Sequence, residues 1–416
     1  MSEHSRDIVI AGGGMVGVSL ALCLRQQLGP RAKLLLIEGF PLPAQDPDFH
    51  KAYSPSFDAR STALSYSSCL IYRELGLWDE LSKRACPIEK IHVSEKGSFG
   101  STLMRCDDYH WPALGYVIEN AWLGNVLIQA LHRAAIETLS PARVVAADNS
   151  ASRVKIALES GEQREADLLV VADGANSGLR ASLGVAVSQQ SYRQQALIAN
   201  VGHAQPHRGV AYERFTKAGP LAMLPLPNDE TGTDHSALVW SLAEVEAEQL
   251  LHASQEDFLA ALQQRFGYRL GRLQRLGERH SYPLALMEAD EQVRSGVVIM
   301  GNAAHSLHPV AGQGFNLALR DVARLGSVLC QACAAGDSPG DLAVLQQYHS
   351  LQVADQKMTT RFSDQLPGLF AHGDPALGLM RDIGLAALDI SPTLKKEFVR
   401  YTSGVAASVG YRNVQP

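Results

Sequence analysis

An α/β chain is what the sequence predicts: a parallel sheet interrupted by an inserted antiparallel sheet and followed by a helical tail. Three observations predict it. A short apolar strand, Asp7 to Ala11, runs directly into Gly12-Gly13-Gly14-Met15-Val16-Gly17 and an apolar helix. A second strand of buried type, Val297 to Met300, ends in a small-residue turn and reopens as a helix through Gly312-Gln313-Gly314. Between them, from Ser188 to Tyr282, the pattern changes to that of antiparallel strands with one helix laid on them.

The N-terminal unit has the order strand, tight turn, helix (Val18 to Leu28), strand (Lys33 to Ile37), with Glu38 closing it. That is G-x-G-x-x-G in a Rossmann-like context, where the motif has mechanical meaning. Gly12, Gly14 and Gly17 allow the turn, the close approach of a pyrophosphate and tight helix–strand packing. Glu38 is placed to hydrogen-bond a ribose hydroxyl pair, and it would repel a 2′-phosphate, which disfavours NADP at this site. The motif alone does not separate FAD from NAD. A loop rich in Pro and Asp, Pro41 to Pro55, then leads to Phe57–Leu64, read as the opening of a helix toward Leu75.

Ile88–Ser94 and Ser101–Arg105 alternate like strands, and Glu119–Thr138 reads as one long helix. Strands are expected near Val144, at Val154–Leu158 and at Glu165–Ala172, the last ending in Asp173-Gly174-Ala175-Asn176-Ser177-Gly178-Leu179-Arg180. In the inserted region the strand-like runs are Gln195–Val201, Val210–Phe215, Pro220–Pro225 and Ala237–Leu242, with an amphipathic helix at Gln255–Phe266. The return of the buried parallel style at Val297 makes the first domain discontinuous. Its expected parts are 1–80, 106–187 and 280–340, with 81–105 and 188–279 forming the second domain and 341–416 a helical region.

Bulk properties narrow the function classes. A chain of 416 residues suggests two domains, and a net charge of -6 argues against a nucleic-acid partner. No run of about 18 apolar residues is present to span a bilayer. The first residues lack the apolar region of a signal peptide. The six cysteines show no disulfide framework, which implies a reducing, cytosolic compartment. Cys330 and Cys333 form a C-x-x-C within an apolar helix and read as a core face, so no metal is assigned.

Three motifs stand in order: G-x-G-x-x-G at Gly12, D-G-A-N-S-x-x-R at Asp173, and G-N-A-A-H-x-x-H-P-x-A-G-Q-G-x-N at Gly301. With D-A-R-S-T-A-L at Asp58, they resemble the single-component flavin-dependent aromatic hydroxylases of the para-hydroxybenzoate hydroxylase type. Within that group the chain looks like the ubiquinone-biosynthesis branch, over about residues 5–330. The resemblance implies that Gly12, Gly14 and Gly17 hold the FAD pyrophosphate and Glu38 the adenosine ribose. It implies Arg60 beside the flavin's linker and pyrophosphate, and Asp173 serving both FAD and the visiting NAD(P)H. Asn302 would meet the ribityl chain. Gly312, Gln313 and Gly314, with Asn316 closing the motif, would present the helix N-terminus to the flavin ring. Two positions depart from the pattern. Asn302 replaces the commoner Asp and is similar to the 2-polyprenyl-6-methoxyphenol hydroxylase subgroup. Ala318 replaces a Gly, a change helix propensity favours by about 1 kcal/mol.

The activity so implied is FAD-dependent hydroxylation of a polyprenylated (methoxy)phenol, with NAD(P)H and O₂ as co-substrates and a flavin hydroperoxide as the oxygen donor. Because the cofactor carries that chemistry, no dedicated nucleophile or metal is required. His305, His308 and Pro309 are the acid–base candidates, although His308 precedes proline in a tight turn and His305 is suited to satisfying backbone carbonyls. Arg180 reads as structural. Tyr212, Phe215, Met223 and Trp240 line or back the substrate sheet. The apolar C-terminal helices suit a packed tail, a homo-oligomer face or peripheral contact with the membrane's inner face, and other ubiquinone-biosynthesis enzymes are candidate partners. Two alternatives stay open: a flavin reductase or dehydrogenase on the same fold, and a non-catalytic subunit of a biosynthetic complex.

Overall fold

The computed structural model describes residues 7–53, 56, 59–97, 100–228, 232, 234–307, 312–371 and 391–405. Its first layer is a six-stranded sheet in the order Val293–Arg294, Val297–Ile299, Leu168–Val171, Asp7–Ala11, Lys33–Ile37, Glu137–Leu139, parallel except at the first pair. Successive residues point to opposite faces. Ile8 and Ile10 pack with the helices Met15–Leu28, Asn120–Arg133 and Gln313–Ala335. Val9 and Ala11 pack beneath a small antiparallel sheet of Val144–Asp148, Val154–Leu158 and Gln163–Ala166. Burial on both faces explains why these strands are continuous apolar runs. The strands Asp7–Ala11, Lys33–Ile37, Leu168–Val171 and Val297–Ile299 all end at one edge, followed by Gly12, Glu38, Asp173 and Gly301. Open α/β sheets bind ligands at that edge.

The second large sheet runs in the order His305–Ser306, His280–Ala289, Val187–His203, His235–Ala243, Gly219–Pro225, Val210–Thr216, Lys90–Glu95, Ser101–Arg105. The helices Glu244–His252 and Gln255–Phe266 cover one face of it, burying Leu197, Leu238, Trp240, Phe258 and Phe266. A three-stranded sheet of Ser61–Ser65, Gly115–Glu119 and Ala85–Ile88 joins the layers. The helix Leu342–Ala371 packs along Gln313–Ala335 and reaches the strands Val210–Thr216 and Gly219–Pro225. No helix among the described residues is long and apolar enough to cross a membrane.

Local expectations needed correction where tertiary contacts outweighed local pattern. Ser61–Ser65 is a strand, paired with Gly115–Glu119, and the helix begins only at Tyr66, with the Ser65 hydroxyl accepting the Ser68 N–H. The expected Glu119–Thr138 helix stops at Arg133, and Ala135 turns at positive φ so that Glu137–Leu139 can join the parallel sheet. Glu165–Ala172 is broken at Asp167, whose carboxylate accepts the Asp7 N–H at 3.0 Å and pairs with Arg153 at 3.1 Å. The antiparallel sheet continues through Ala289 rather than ending at 279, and it also takes His305–Ser306. Helix Glu244–His252 was not foreseen. Of the expected C-terminal helical region, Leu342–Ala371 and Pro392–Thr402 are helices, while residues 372–390 and 406–416 lie outside the described residues.

Gly17 shows how tightly the first turn is built. A Cβ there would stand 1.9 Å from the Gly12 carbonyl oxygen. Gly17→Ala is expected to cost about 3 kcal/mol, the upper range for overpacking. Urea unfolding followed by circular dichroism measures it, and a variant as stable as the parent would contradict this packing.

Candidate active site

Gly12 has φ 115, and a Cβ on it would lie 2.3 Å from the Ala172 carbonyl oxygen, so only glycine fits against the neighbouring strand end. Gly14 is different. A Cβ on Gly14 would meet nothing within 4 Å. It also caps the helix Met15–Leu28 with no side-chain hydrogen bond. The first N–H groups of that helix, with the positive end of its dipole, are therefore turned toward open space, a setting made for a phosphate. The Glu38 carboxylate borders the same turn, accepting the Gly13 N–H at 2.6 Å and the Phe40 N–H at 2.9 Å.

The other two motifs meet this turn. Asp173 is exposed, and its backbone N–H stands 2.9 Å from the Cβ position of Gly12. Asn302 is exposed in the short turn Gly301–Ala303, where Gly301 at φ 61 packs against Val16 of the first helix. Arg180 is buried and structural. Its guanidinium donates to the Ala303 carbonyl at 2.7 Å and the Ala175 carbonyl at 3.2 Å, tying the second motif to the third.

The helix Gln313–Ala335 begins at Gly312, which is left-handed at φ 61 and lies against Ala63. Among the described residues a Cβ on Gly314 would again meet nothing within 4 Å, at a second helix N-terminus with no side-chain cap. Asn316 was expected at the cofactor, but its amide is consumed by the protein. Its oxygen accepts from the Ser65 N–H at 2.8 Å and the Ser68 hydroxyl at 2.7 Å; its nitrogen donates to the carbonyls of Ala63 at 2.9 Å and Gly312 at 2.8 Å. Asn316 is a positioning residue. Arg60 is exposed and donates to the Tyr282 hydroxyl at 2.7 Å, while Asn200 donates to the Ala59 carbonyl at 2.8 Å, so the two domains are pinned together beside the site.

His305 is buried, with Nε2 3.3 Å from Asp321 Oδ2. It opens onto a network that was missed in the sequence. Asp321 also receives Gln356 at 3.2 Å and Arg324 at 3.4 Å. Asp355 on the Leu342–Ala371 helix is gripped by Arg320 at 2.7 and 3.1 Å and by Arg324 at 2.6 Å. Burial alone would push the Asp355 carboxyl up, but the two guanidinium groups overcome it and hold it below its ordinary value. The available signal was Arg320-Asp321 and Arg324 set in an otherwise apolar helix. His308 and Pro309 lie outside the described residues.

Three of the four substrate-side candidates face away from this site. Trp240 packs edge-on to Phe258 at 5.8 Å under Arg265, Met223 is fully buried in the same cluster, and Tyr212 stacks edge-on to Phe266 at 5.4 Å. These side chains back the sheet under its helices. Phe215, which alternates with them, lies on the opposite face. A cavity of about 410 Å³ lined by residues including His50, Tyr53, Arg84 and Trp122 lies elsewhere, and none of the glycine-motif residues lines it. All six cysteines are free, and no metal-binding cluster exists among the described residues.

The family described as FAD binding domain matches residues 5–362. The chain belongs to this family. It is 34% identical over 404 residues to ubiquinone hydroxylase UbiL of Rhodospirillum rubrum, covering 97% of this chain and 90% of that protein. It is 31% identical over 407 residues to 3-demethoxyubiquinol 3-hydroxylase of Escherichia coli, covering 97% and 100%. Among solved structures, p-nitrophenol 4-monooxygenase PnpA of Pseudomonas putida superimposes with a TM-score of 0.75 at 18% identity, over 96% of this chain and 98% of that one. FAD is the family's cofactor, and the open space at each of Gly14 and Gly314, at a helix N-terminus, fits such an anionic group.

Two substitutions separate binding from support. Gly14→Asp places a carboxylate in the open space where a pyrophosphate would lie and should yield folded, colourless protein; a yellow variant would refute the assignment. Asn316→Asp sets a carboxylate against the Ala63 and Gly312 carbonyls, and the lost donors should cost about 2–4 kcal/mol. A thermal melt read beside flavin fluorescence checks it, flavin release being expected to follow unfolding rather than precede it.

Proposed function

We propose that this flavoprotein hydroxylates the ring of a polyprenylated (methoxy)phenol on the ubiquinone pathway, consuming NAD(P)H and O₂. The observation that carries the reading is end-to-end similarity to two hydroxylases of that pathway, on a chain whose glycine turns all converge on one edge. In this reading Gly12, Gly14 and Gly17 admit the pyrophosphate, Glu38 takes the adenosine ribose, and Arg60 and Asp173 flank the linker. Asn302 meets the ribityl chain, and Gly312, Gln313 and Gly314 present backbone N–H groups to the ring. When bound and reduced, the flavin supplies the activated oxygen.

The chain's own part is placement, water exclusion and charge. Two helix N-termini and Arg60 offset the cofactor's negative charge. Arg60–Tyr282 and Asn200–Ala59 hold the antiparallel sheet over the flavin edge, closing the reaction space from the side. An apolar substrate of this class leaves the bilayer at its surface, so a peripheral membrane contact belongs to the same proposal.

The test is purified protein given a short-chain methoxyphenol and NAD(P)H in air. Flavin absorbance, substrate-dependent NAD(P)H oxidation and a product one oxygen atom heavier are expected. Substrate-dependent oxidation of NAD(P)H with no oxygen in the product would replace this reading with a reductase.

A further inference from the structure

Strand register fixes which residues share the face of the antiparallel sheet turned toward the flavin domain. His280 stands opposite Ile198, Ile198 opposite Val239, Val239 opposite Ala222 and Ala222 opposite Glu213, with Val93 beside Glu213 on the parallel neighbour. The rows on either side, two residues along each strand, hold Asn200, which donates to Ala59, and Tyr282, which accepts from Arg60. Glu213 therefore sits on the flavin-domain side, away from Trp240 and Met223.

The two faces differ in packing. Under the helices, Leu197, Met223, Leu238 and Trp240 are at most 1% exposed. On the flavin side the packing is mixed: Phe215, Ala211, Ala222 and Ala237 are buried, while Ile198, Leu224, Val239 and Val93 keep part of their surface accessible. Part-exposed apolar side chains between layers are what a space for an apolar ligand would leave. Glu213 behaves the same way: its side chain is only half-buried in exposure, yet it is set deep in the protein. No described residue forms a hydrogen bond or ion pair with it. Among its immediate row neighbours Val93, Ala222, Val239 and Ile198, the Glu213 carboxylate is the polar group, an arrangement suited to gripping a ring by apolar contacts and addressing it at one polar atom.

The geometry points to Glu213 as the acid–base group that meets the substrate's phenolic oxygen. This rests on the hydroxylase reading and names a residue for it. The Glu213 carboxylate takes the phenolic proton: the substrate O–H bond breaks, its electron pair stays on the ring system, and an O–H bond forms on the carboxyl. The enriched ring carbon bonds to the hydroxyl derived from O₂, leaving a ring ketone. That carbon then loses its proton to solvent, and the Glu213 proton returns to the ketone oxygen, restoring a phenol. The second oxygen atom leaves as water on the electrons of NAD(P)H, and Glu213 ends as it began.

The surroundings suit this role. Burial pushes the Glu213 carboxyl up to about 7, near the operating range of a general base. His280 stands four strands along the same row, 3.8 Å from Glu278, and most charged groups on the elements packed around Glu213 have partners of their own. Glu95 lies two residues beyond Val93 on the same strand face and has an interaction of its own. On the Leu342–Ala371 helix, Asp364 accepts from Tyr192, Asp355 is held by two arginines, and Arg361 is exposed. Lys395, on the helix Pro392–Thr402 packed near Val93, donates to the Leu103 carbonyl. Because the base form appears as pH rises through the raised value, kcat/KM should climb through neutral pH and level above it.

The experiment uses holoenzyme with the short-chain methoxyphenol. Glu213→Gln is expected to keep its flavin, lose roughly 10²–10⁴-fold in kcat and lose the neutral limb of the pH profile, with Glu213→Asp restoring part of both. Turnover and limb unchanged in Glu213→Gln would overturn the proposal. Wild-type enzyme gives a readout that does not depend on the variant folding. With no reductant present, bound phenol should show the red-shifted phenolate band while an indicator dye registers no proton released, because the carboxyl keeps it. A bound phenol that stays protonated, or one proton released per phenolate formed, refutes the assignment. Absence of any hydroxylated product from wild type would instead sink the hydroxylase reading itself.

Discussion

The site hangs on the amide of Asn316. Its two ends bond both sides of a junction: the strand Ser61–Ser65 and the start of its following helix on one side, the left-handed Gly312 turn on the other. A buried amide group left without its partner costs about 1–3 kcal/mol, so the junction has one good arrangement and no gradual alternatives. That arrangement sets where the Gln313 helix begins and where its free N–H groups aim. It also sets the path of the chain from Arg60 into the sheet. Further along the same helix, Arg320 and Arg324 are locked to Asp355 on the neighbouring helix, so the element cannot slide. Buried ion pairs of this kind repay little net stability but are expensive to break singly. Their effect here is to fix register between two long apolar helices that would otherwise pack in several ways.

With that helix fixed, the glycines divide into two kinds. Gly12 and Gly17 are required by neighbours already present, since a Cβ would strike the Ala172 or Gly12 carbonyl oxygen. Gly14 and Gly314 meet nothing. Several surface glycines share that openness, but Gly14 and Gly314 stand at the starts of long helices whose first N–H groups have no side-chain cap. The two dipole ends and Arg60 then present positive charge to a cofactor that is anionic at its pyrophosphate and becomes so at its ring on reduction. The protein needs no nucleophile of its own, which agrees with His305 being tied up by Asp321.

Much of this was legible in the sequence because the motifs are local. Strand–glycine–helix units report their own geometry through a few adjacent residues, so Gly12, Gly14, Glu38, Asp173, Asn302 and Gly312 could be named before any contact was known. What was not legible is set by residues far away in the chain. Asn316 closes a recognisable motif, but its role depends on Ser65 and Ser68, some 250 positions earlier. Ser61–Ser65 reads like a helix start until its pairing with Gly115–Glu119 decides otherwise. Tyr212, Met223 and Trp240 have the composition of a pocket, and only strand alternation against the covering helices shows that they face the other way. Aromatic content marks a well-packed surface without saying which side of a sheet holds it.

The antiparallel sheet therefore divides its labour by face. The helix-covered side is packed to near-complete burial and supplies stability. The flavin side is packed less completely, leaving Ile198, Val239 and Leu224 partly open and Glu213 without a hydrogen-bond or ion-pair partner among the described residues. A buried carboxyl pushed up to about 7 favours folding less as pH rises from its ordinary value toward 7, because the native state holds a proton that the unfolded chain has released. Such a group works against the fold at neutral pH, and nothing in the sheet's architecture requires it: Val or Leu would satisfy that strand position. Residues that weaken packing without structural need concentrate where chemistry is done. By that argument Glu213 belongs to the reaction rather than to the fold, and the same reasoning moves Asn316, whose every bond is structural, out of the cofactor's reach and into its support.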